Sequence, residues 1–251
     1  MTHDGNRGAV HLSARLLATA TAVLALTLAA PAVPAGDGPF AHRGYYITFM
    51  RMPTYDRLDW NRIVDGVRGD GGDTLMLWVA GGFRSKRHPI TWTSNQDHEN
   101  VRDDFVRDLI ARAHARGVRV LLGFTPFGYD GVNRFAVEHP ELKATGPDGK
   151  PTAPFGIGCW GWNLCPSKPE SQRLMLDYAR EIAFDFYPEA DGLLIESSDY
   201  AACHCADCGD HYFEREFTFV KAISDEVWAR KPGAEVVVYP HYFSGAEAPG
   251  L

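Results

Sequence analysis

Five short apolar runs, at residues 45–49, 74–79, 118–124, 192–196 and 235–239, set the strongest limit on what this chain can fold into. Gly, Asp or Pro bounds the runs, and within them neither face alternates to polar. That pattern describes strands covered on both sides, as in a parallel sheet. Helical spacing fills the gaps between them. In 101–116, Val101, Phe105, Val106, Leu109, Ile110 and Ala113 fall on one helix face, and Gly117 stands where a helix stops. Ser167 and Glu170 have capping-box spacing ahead of Leu174, Tyr178, Ile182 and Phe186. Phe213, Phe217, Val220 and Val227 mark another helix, and 58–67 a shorter one.

The order is therefore strand then helix, four times over, followed by a fifth strand. Parallel strands joined by crossover helices follow from it, as a barrel or as an open doubly wound sheet. No Gly-x-Gly-x-x-Gly or Walker-type loop follows the first strand, so a nucleotide-binding open sheet lacks its signature. Long segments, 80–100 and 125–166, follow strand ends, while the returns from helix to strand are short. This asymmetry belongs to barrels, which keep their sites on the loops after the strands. The expected fold is α/β, a TIM-barrel-like (β/α)8 architecture. A full barrel takes about 250 residues, and this sequence reaches about five β-α units before it ends in Ala-Pro-Gly-Leu. The expectation is an incomplete barrel over 36–251, truncated at its C-terminus; completion by a partner and a sheet that does not close are the alternatives.

Residues 1–35 stand apart from that fold. Arg7, His11 and Arg15 precede an apolar run over 16–30, and Val33-Pro34-Ala35 supplies small residues for cleavage. This is the order of a secretory signal, and the run is shorter than the ~20 residues that span a bilayer. A secreted or periplasmic protein without stable membrane association after cleavage is expected. Charge narrows the partners further: 25 Lys+Arg against 32 Asp+Glu give a net charge of −7. No broad basic surface is available, so a nucleic-acid partner is set aside.

Chemistry gathers at the strand ends. The run Gly192-Leu193-Leu194-Ile195 carries Glu196 at its end. Apolar surroundings favour a protonated carboxyl, the state a general acid needs. Glu196 is the first catalytic candidate; the alternative is that it pairs with a basic side chain and closes the barrel mouth. Asp199 is placed to orient Glu196 or a substrate hydroxyl, or to cap the next loop. Aromatic residues crowd the same end: Trp92, Phe127, Tyr129, Trp160, Trp162, Tyr200, Tyr239 and Tyr242. Sugar rings present apolar C–H faces rimmed by hydroxyls, so aromatic platforms with scattered polar groups suit a carbohydrate. Asp97, His98, Asp130, Asn163 and His241 are the polar candidates.

Cys203, Cys205 and Cys208 form a Cys-x-Cys-x-x-Cys cluster, with Cys159 and Cys165 upstream. Three thiolates so close in sequence can converge on one tetrahedral metal, with Cys165 or Cys159 as the fourth ligand. A structural zinc is the economical assignment, and a four-thiolate site, being closed, pins two loops without activating water. Two disulfides with one cysteine left over are the rival in an exported protein, and His204 or His211 can replace a sulfur. No His-Glu-x-x-His spacing supports a catalytic metal.

A strand-four carboxylate followed by this cysteine cluster resembles the structural zinc motif of family 42 β-galactosidases. The stretches His139-Pro140-Glu141-Leu142, Asp148-Gly149-Lys150-Pro151 and Leu164-Cys165-Pro166-Ser167-Lys168-Pro169-Glu170 are similar to parts of secreted glycosidase-like barrel proteins. The resemblance implies a (β/α)8 barrel with Glu196 as acid/base and a zinc near the site. Ile195 stands where the clan has Asn, and the clan's nucleophile follows strand seven, beyond Leu251, so the relation is distant. The expected activity is hydrolysis of O-glycosidic bonds on a carbohydrate substrate, with two carboxylates about 5–5.5 Å apart for retention or about 6.5–9.5 Å for inversion. A non-catalytic carbohydrate-binding protein and a zinc-dependent deacetylase or peptidase are the alternatives.

Overall fold

Gly44–Ile47 (β1), Thr74–Trp78 (β2), Arg119–Phe124 (β3), Gly192–Glu196 (β4) and Glu235–Tyr239 (β5) pair in parallel, in sequence order, as one sheet. A doubly wound sheet reverses its strand order at a switch point. None occurs here, so the winding is that of a TIM-type barrel, with five consecutive strands in place. The computed structural model describes residues 40–48, 55–129, 131–153, 161–196 and 202–239, all within one compact unit, Ala32–Leu251. The signal segment expected at 1–35 lies outside the described residues. Among them no helix is long and apolar enough to cross a membrane.

Four helices, Arg57–Gly69 (α1), Phe105–Ala115 (α2), Pro169–Arg180 (α3) and Tyr212–Arg230 (α4), cover one face of the sheet. Leu75, Leu77, Val120, Leu122, Phe124, Leu193 and Ile195 share a buried core with Val64, Leu109, Ile110, Tyr178, Ile182, Phe219 and Ile223. Successive strand residues point to opposite faces, so the alternate positions Tyr46, Met76, Trp78, Leu121, Leu194 and Glu196 belong to the other, inner face. Gly192 lets β4 enter the sheet, because a Cβ there would lie 1.8 Å from the carbonyl oxygen of Glu235.

Local chemistry explains where the helices begin and break. The Asp56 carboxylate caps α1 by accepting from the backbone N–H of Asp59 at 2.8 Å. The single helix expected over 101–116 is split. Asp104 adopts φ 45°, a left-handed conformation that Asp tolerates, and its carboxylate accepts from the Tyr187 hydroxyl at 2.8 Å. One turn, Glu99–Arg102, precedes the break and α2 follows it, so Val101 and Phe105 are both buried. The expected capping box is not formed either. Lys168 is the N-cap residue and Pro169 the first helical one, while the Ser167 hydroxyl lies 3.0 Å from the Cys208 sulfur and Glu170 pairs with Arg173. Beyond α3 the helix widens into a π-turn, Glu181–Phe186.

Candidate functional site

Glu196 closes β4, half-buried, on the inner face. Its carboxylate accepts a hydrogen bond from the hydroxyl of Tyr46 on β1. Face assignment supports the contact: Tyr45 points the other way, to Gly66 and the Asp70 carboxylate of the α1 end. In a flat sheet three strand spacings of ~4.8 Å would hold β1 and β4 about 14 Å apart. Two side chains standing perpendicular to such a sheet do not meet across that gap. The sheet is therefore curled, and the Tyr46–Glu196 bond crosses its concave side.

Tyr239 pairs in register with Glu196 and is 42% exposed, so its ring can meet a ligand beside the carboxylate. Trp78 shares the inner face, and Tyr129 packs edge-on to it with ring centroids 6.3 Å apart. Thr125, one residue past β3, is fully buried, and its hydroxyl has no hydrogen-bond partner among the described residues. Phe124 faces Phe219 on α4, which turns Thr125 toward the inner side, where Glu196 lies one strand over. The chain then passes through φ 62° at Phe127 and 56° at Tyr129. Such backbone costs on the order of 1–3 kcal/mol each and gathers at functional sites.

The other expected site residues are dispersed. Tyr129 is buried at 3%, Asn163 is fully buried, and the Asn163 backbone serves to pair the loop with Ala144 and Thr152. Trp162 is half-buried, with the Lys143 ammonium 4.5 Å above its ring. Asp97 and His98 are exposed on the turn before Glu99–Arg102. Trp92 is placed elsewhere, in a cleft of about 570 Å³ that none of Tyr46, Glu196 or Tyr239 lines. Asp130, Trp160, Asp199, Tyr200, His241, Tyr242 and Cys159 lie outside the described residues. Tyr46, Trp78 and Thr125 escaped the sequence reading. Strand alternation could have put Trp78 and Thr125 on the face of Glu196, but nothing local signals the reach of Tyr46 across 150 residues.

On the segments that follow β3 and β4 the four cysteines Cys165, Cys203, Cys205 and Cys208 converge, all their sulfurs within 4.8 Å of one another. Cys165 lies 3.6 Å from both Cys205 and Cys208. None of the four is in a disulfide, and these gaps far exceed the ~2.05 Å of an S–S bond. A tetrahedral ion with bonds of ~2.3 Å to sulfur needs edges of about 3.8 Å, so the cluster fits a metal. His204 and His211 are exposed and outside the group, His211 pairing with Glu214 at 2.8 Å.

The cluster ties two post-strand loops together. Cys165 donates its N–H to the Leu142 carbonyl at 2.8 Å, Leu164 donates to Phe127 at 2.7 Å, and His204 donates to Thr145 at 2.7 Å. Ala144, Cys165, Cys203, Cys208 and Tyr212 form a small apolar core of their own. Hydrogen bonds among the sulfurs divide their acidities. Cys165, bonded to Cys203 and Cys208 and buried, is held far above the usual thiol range. Cys203 accepts from Cys165 and Cys208, and its sulfur lies 3.3 Å from the Thr145 N–H; these bonds hold it below that range against the opposing effect of burial. Cys208 is lowered by Cys165, raised by Cys203 and burial, and pushed up to about 11.

No family model matches the sequence, and no curated protein matches it. Solved structures match the fold. An α-galactosidase from Lactobacillus brevis superposes with TM-score 0.52 at 15% identity, over 79% of this chain and 28% of that one. The α-L-fucosidase isoenzyme 2 from Paenibacillus thiaminolyticus gives 0.53 at 15%, over 78% and 32%. A variant of the GH36 α-galactosidase AgaA from Geobacillus stearothermophilus, bound to 1-deoxygalactonojirimycin, gives 0.51 at 12%, over 78% and 28%. The chain spans less than a third of the length of each. At such identities the likeness is one of fold: the chain carries an α/β, TIM-type barrel architecture. None of the three is named as a β-galactosidase, so that finer resemblance rests on Glu196 and the cysteine motif that follows it.

Proposed function

We propose that the protein is an exported glycoside hydrolase in which Glu196 is the general acid/base. One observation carries the reading: a carboxylate stands at the C-terminal end of a barrel strand, on the concave side, oriented by the Tyr46 hydroxyl. Barrel enzymes place their chemistry at that end. In its carboxyl form Glu196 gives its proton to the oxygen of the leaving sugar, and as a carboxylate it takes one from the incoming water. Tyr46 orients the carboxylate toward the reacting bond. Asp199 orients this pair or a substrate hydroxyl, and Tyr239 offers a ring face to the sugar. Residues 1–35 direct export and 36–251 form the barrel domain.

The four cysteines hold a structural zinc in this proposal. The ion supplies no chemistry to the reaction; it fixes the post-β3 and post-β4 loops against each other beside Glu196. Its binding displaces the remaining thiol protons, so loading strengthens as pH rises.

The test is hydrolysis of a panel of alkyl glycosides, oligosaccharides and polysaccharides, whose leaving oxygens need a proton, by the wild type and by Glu196→Gln. Turnover by the wild type with loss of roughly 10²–10⁴-fold in the variant is the expected result. Equal turnover by both removes Glu196 from the mechanism.

A further inference from the structure

Trp92 marks a second site. Its cleft, about 570 Å³, lies between the loop after β2, the start of α2 and the π-turn that ends α3, and is lined also by Arg84, Lys86, Asp104, Asp185 and Phe186. The volume falls within the ~300–1,000 Å³ of small-molecule sites.

Charge and aromaticity are arranged there in a specific way. The Arg84 guanidinium sits 5.3 Å over the Trp92 ring, and the Lys86 ammonium 5.7 Å over Phe186. Neither cation has an ion-pair partner among the described residues; Arg84 only donates to the Arg102 carbonyl at 3.0 Å. The carboxylates of the cleft are already engaged, Asp185 by Arg87 at 2.6 Å and Asp104 by the Tyr187 hydroxyl at 2.8 Å. Two ring-held cations thus face the cleft without an ion pair of their own among the described residues.

The wall carrying them is fixed from beneath. Glu181, 2% exposed, accepts from the Ser85 hydroxyl at 2.5 Å and from the backbone N–H groups of Lys86 at 2.7 Å and Arg87 at 3.3 Å. The Trp92 indole N–H donates to the Ser85 carbonyl at 2.9 Å. A buried carboxylate therefore sets the turn, and the turn sets both the indole and the two cations. A site ordered before binding loses little entropy on taking a ligand.

We infer that this cleft binds the acidic units of an anionic oligosaccharide, a carboxylate meeting Arg84 and Lys86 while the sugar's C–H face lies against the Trp92 edge of the wall. The carbohydrate class of the ligand rests on the function proposed above; the site does not, being separate from Glu196.

Calorimetric titration of the full chain with tetragalacturonate, and with its methyl-esterified form, tests the inference. Binding of the acid, at least about tenfold weaker in Arg84→Gln/Lys86→Gln, weaker for the ester, and unchanged in Glu196→Gln, is expected. Both exchanged side chains are exposed, so the fold is retained. No binding of the acid, equal affinity for the ester, or affinity unaltered by the double exchange overturns the inference. Binding that depends on Arg84 and Lys86 in a protein that cleaves no glycoside would sink the Glu196 mechanism and leave this site standing. Cleavage without such binding does the reverse.

Discussion

The hydroxyl of Tyr46, on the first strand, donates to the carboxylate of Glu196, on the fourth, and so bridges the concave side of the sheet. Removing that donor tests the bridge. A hydrogen bond to a charged group contributes about 1.5–3 kcal/mol, so Tyr46→Phe should lower kcat/KM by roughly 10- to 100-fold. Steady-state kinetics beside a circular-dichroism spectrum checks this. Wild-type kinetics in the variant would show that Tyr46 does not position Glu196.

The cysteine cluster predicts metal content. Purified protein should hold about one zinc per chain, and Cys205→Ser should reduce that stoichiometry and lower Tm. Hydrogen exchange after chelation should rise in the loops joined by Cys165 and Cys203, ahead of the strands. Metal-free protein whose four sulfurs resist thiol reagents until reduced would contradict the assignment.

At Gly192 the prediction concerns strand pairing. A methyl group 1.8 Å from the Glu235 carbonyl cannot be accommodated without moving β5. Gly192→Ala should therefore cost at least the upper end of the ~1–3 kcal/mol typical of overpacking, read by urea denaturation. An unchanged midpoint would show that the edge pairing is looser than described.

His88 makes stability depend on pH. Burial holds its imidazole below the usual 6.5, outweighing Glu181 and Asp177, which raise it, and acting with Arg87 and Arg173, which lower it. Its ring packs against Phe135 and Tyr178, and its Nε2 is buried with no partner among the described residues. Below pH 6.5 the unfolded chain binds a proton at His88 that the folded chain refuses, so the folded state loses stability as pH falls through that range. The stability difference between wild type and His88→Phe should rise with pH up to about 6.5 and then level off. Denaturation midpoints at a series of pH values measure it; a difference constant with pH, or falling, would contradict the reading.

Strand β4 was legible because its apolar run is bounded on both sides and ends on Glu196; the cysteine spacing marked three sulfurs of the cluster and left the fourth ligand open between Cys165, Cys159 and a nearby histidine, of which Cys165 joins the group. Strand β1 was less so: the run at 45–49 pairs as Gly44–Ile47. What escaped was decided by distant residues. Asp104 breaks the expected helix where Tyr187 holds its carboxylate, 83 residues on. Trp92 leaves the strand-end site because Glu181, 96 residues after Ser85, captures the turn that carries it. Neither partner has a local sequence signature, since each contact exists only once α3 has docked.

The central claim, that Glu196 protonates the departing sugar oxygen, is tested most directly by leaving-group dependence. First-turnover release of the leaving group by Glu196→Gln is measured on dinitrophenyl glycosides, whose leaving oxygen needs no proton, and on alkyl glycosides, which do need one. The account predicts near-normal glycosidic cleavage of the first and loss of roughly 10²–10⁴-fold on the second. Equal loss on both, or none on either, would contradict it.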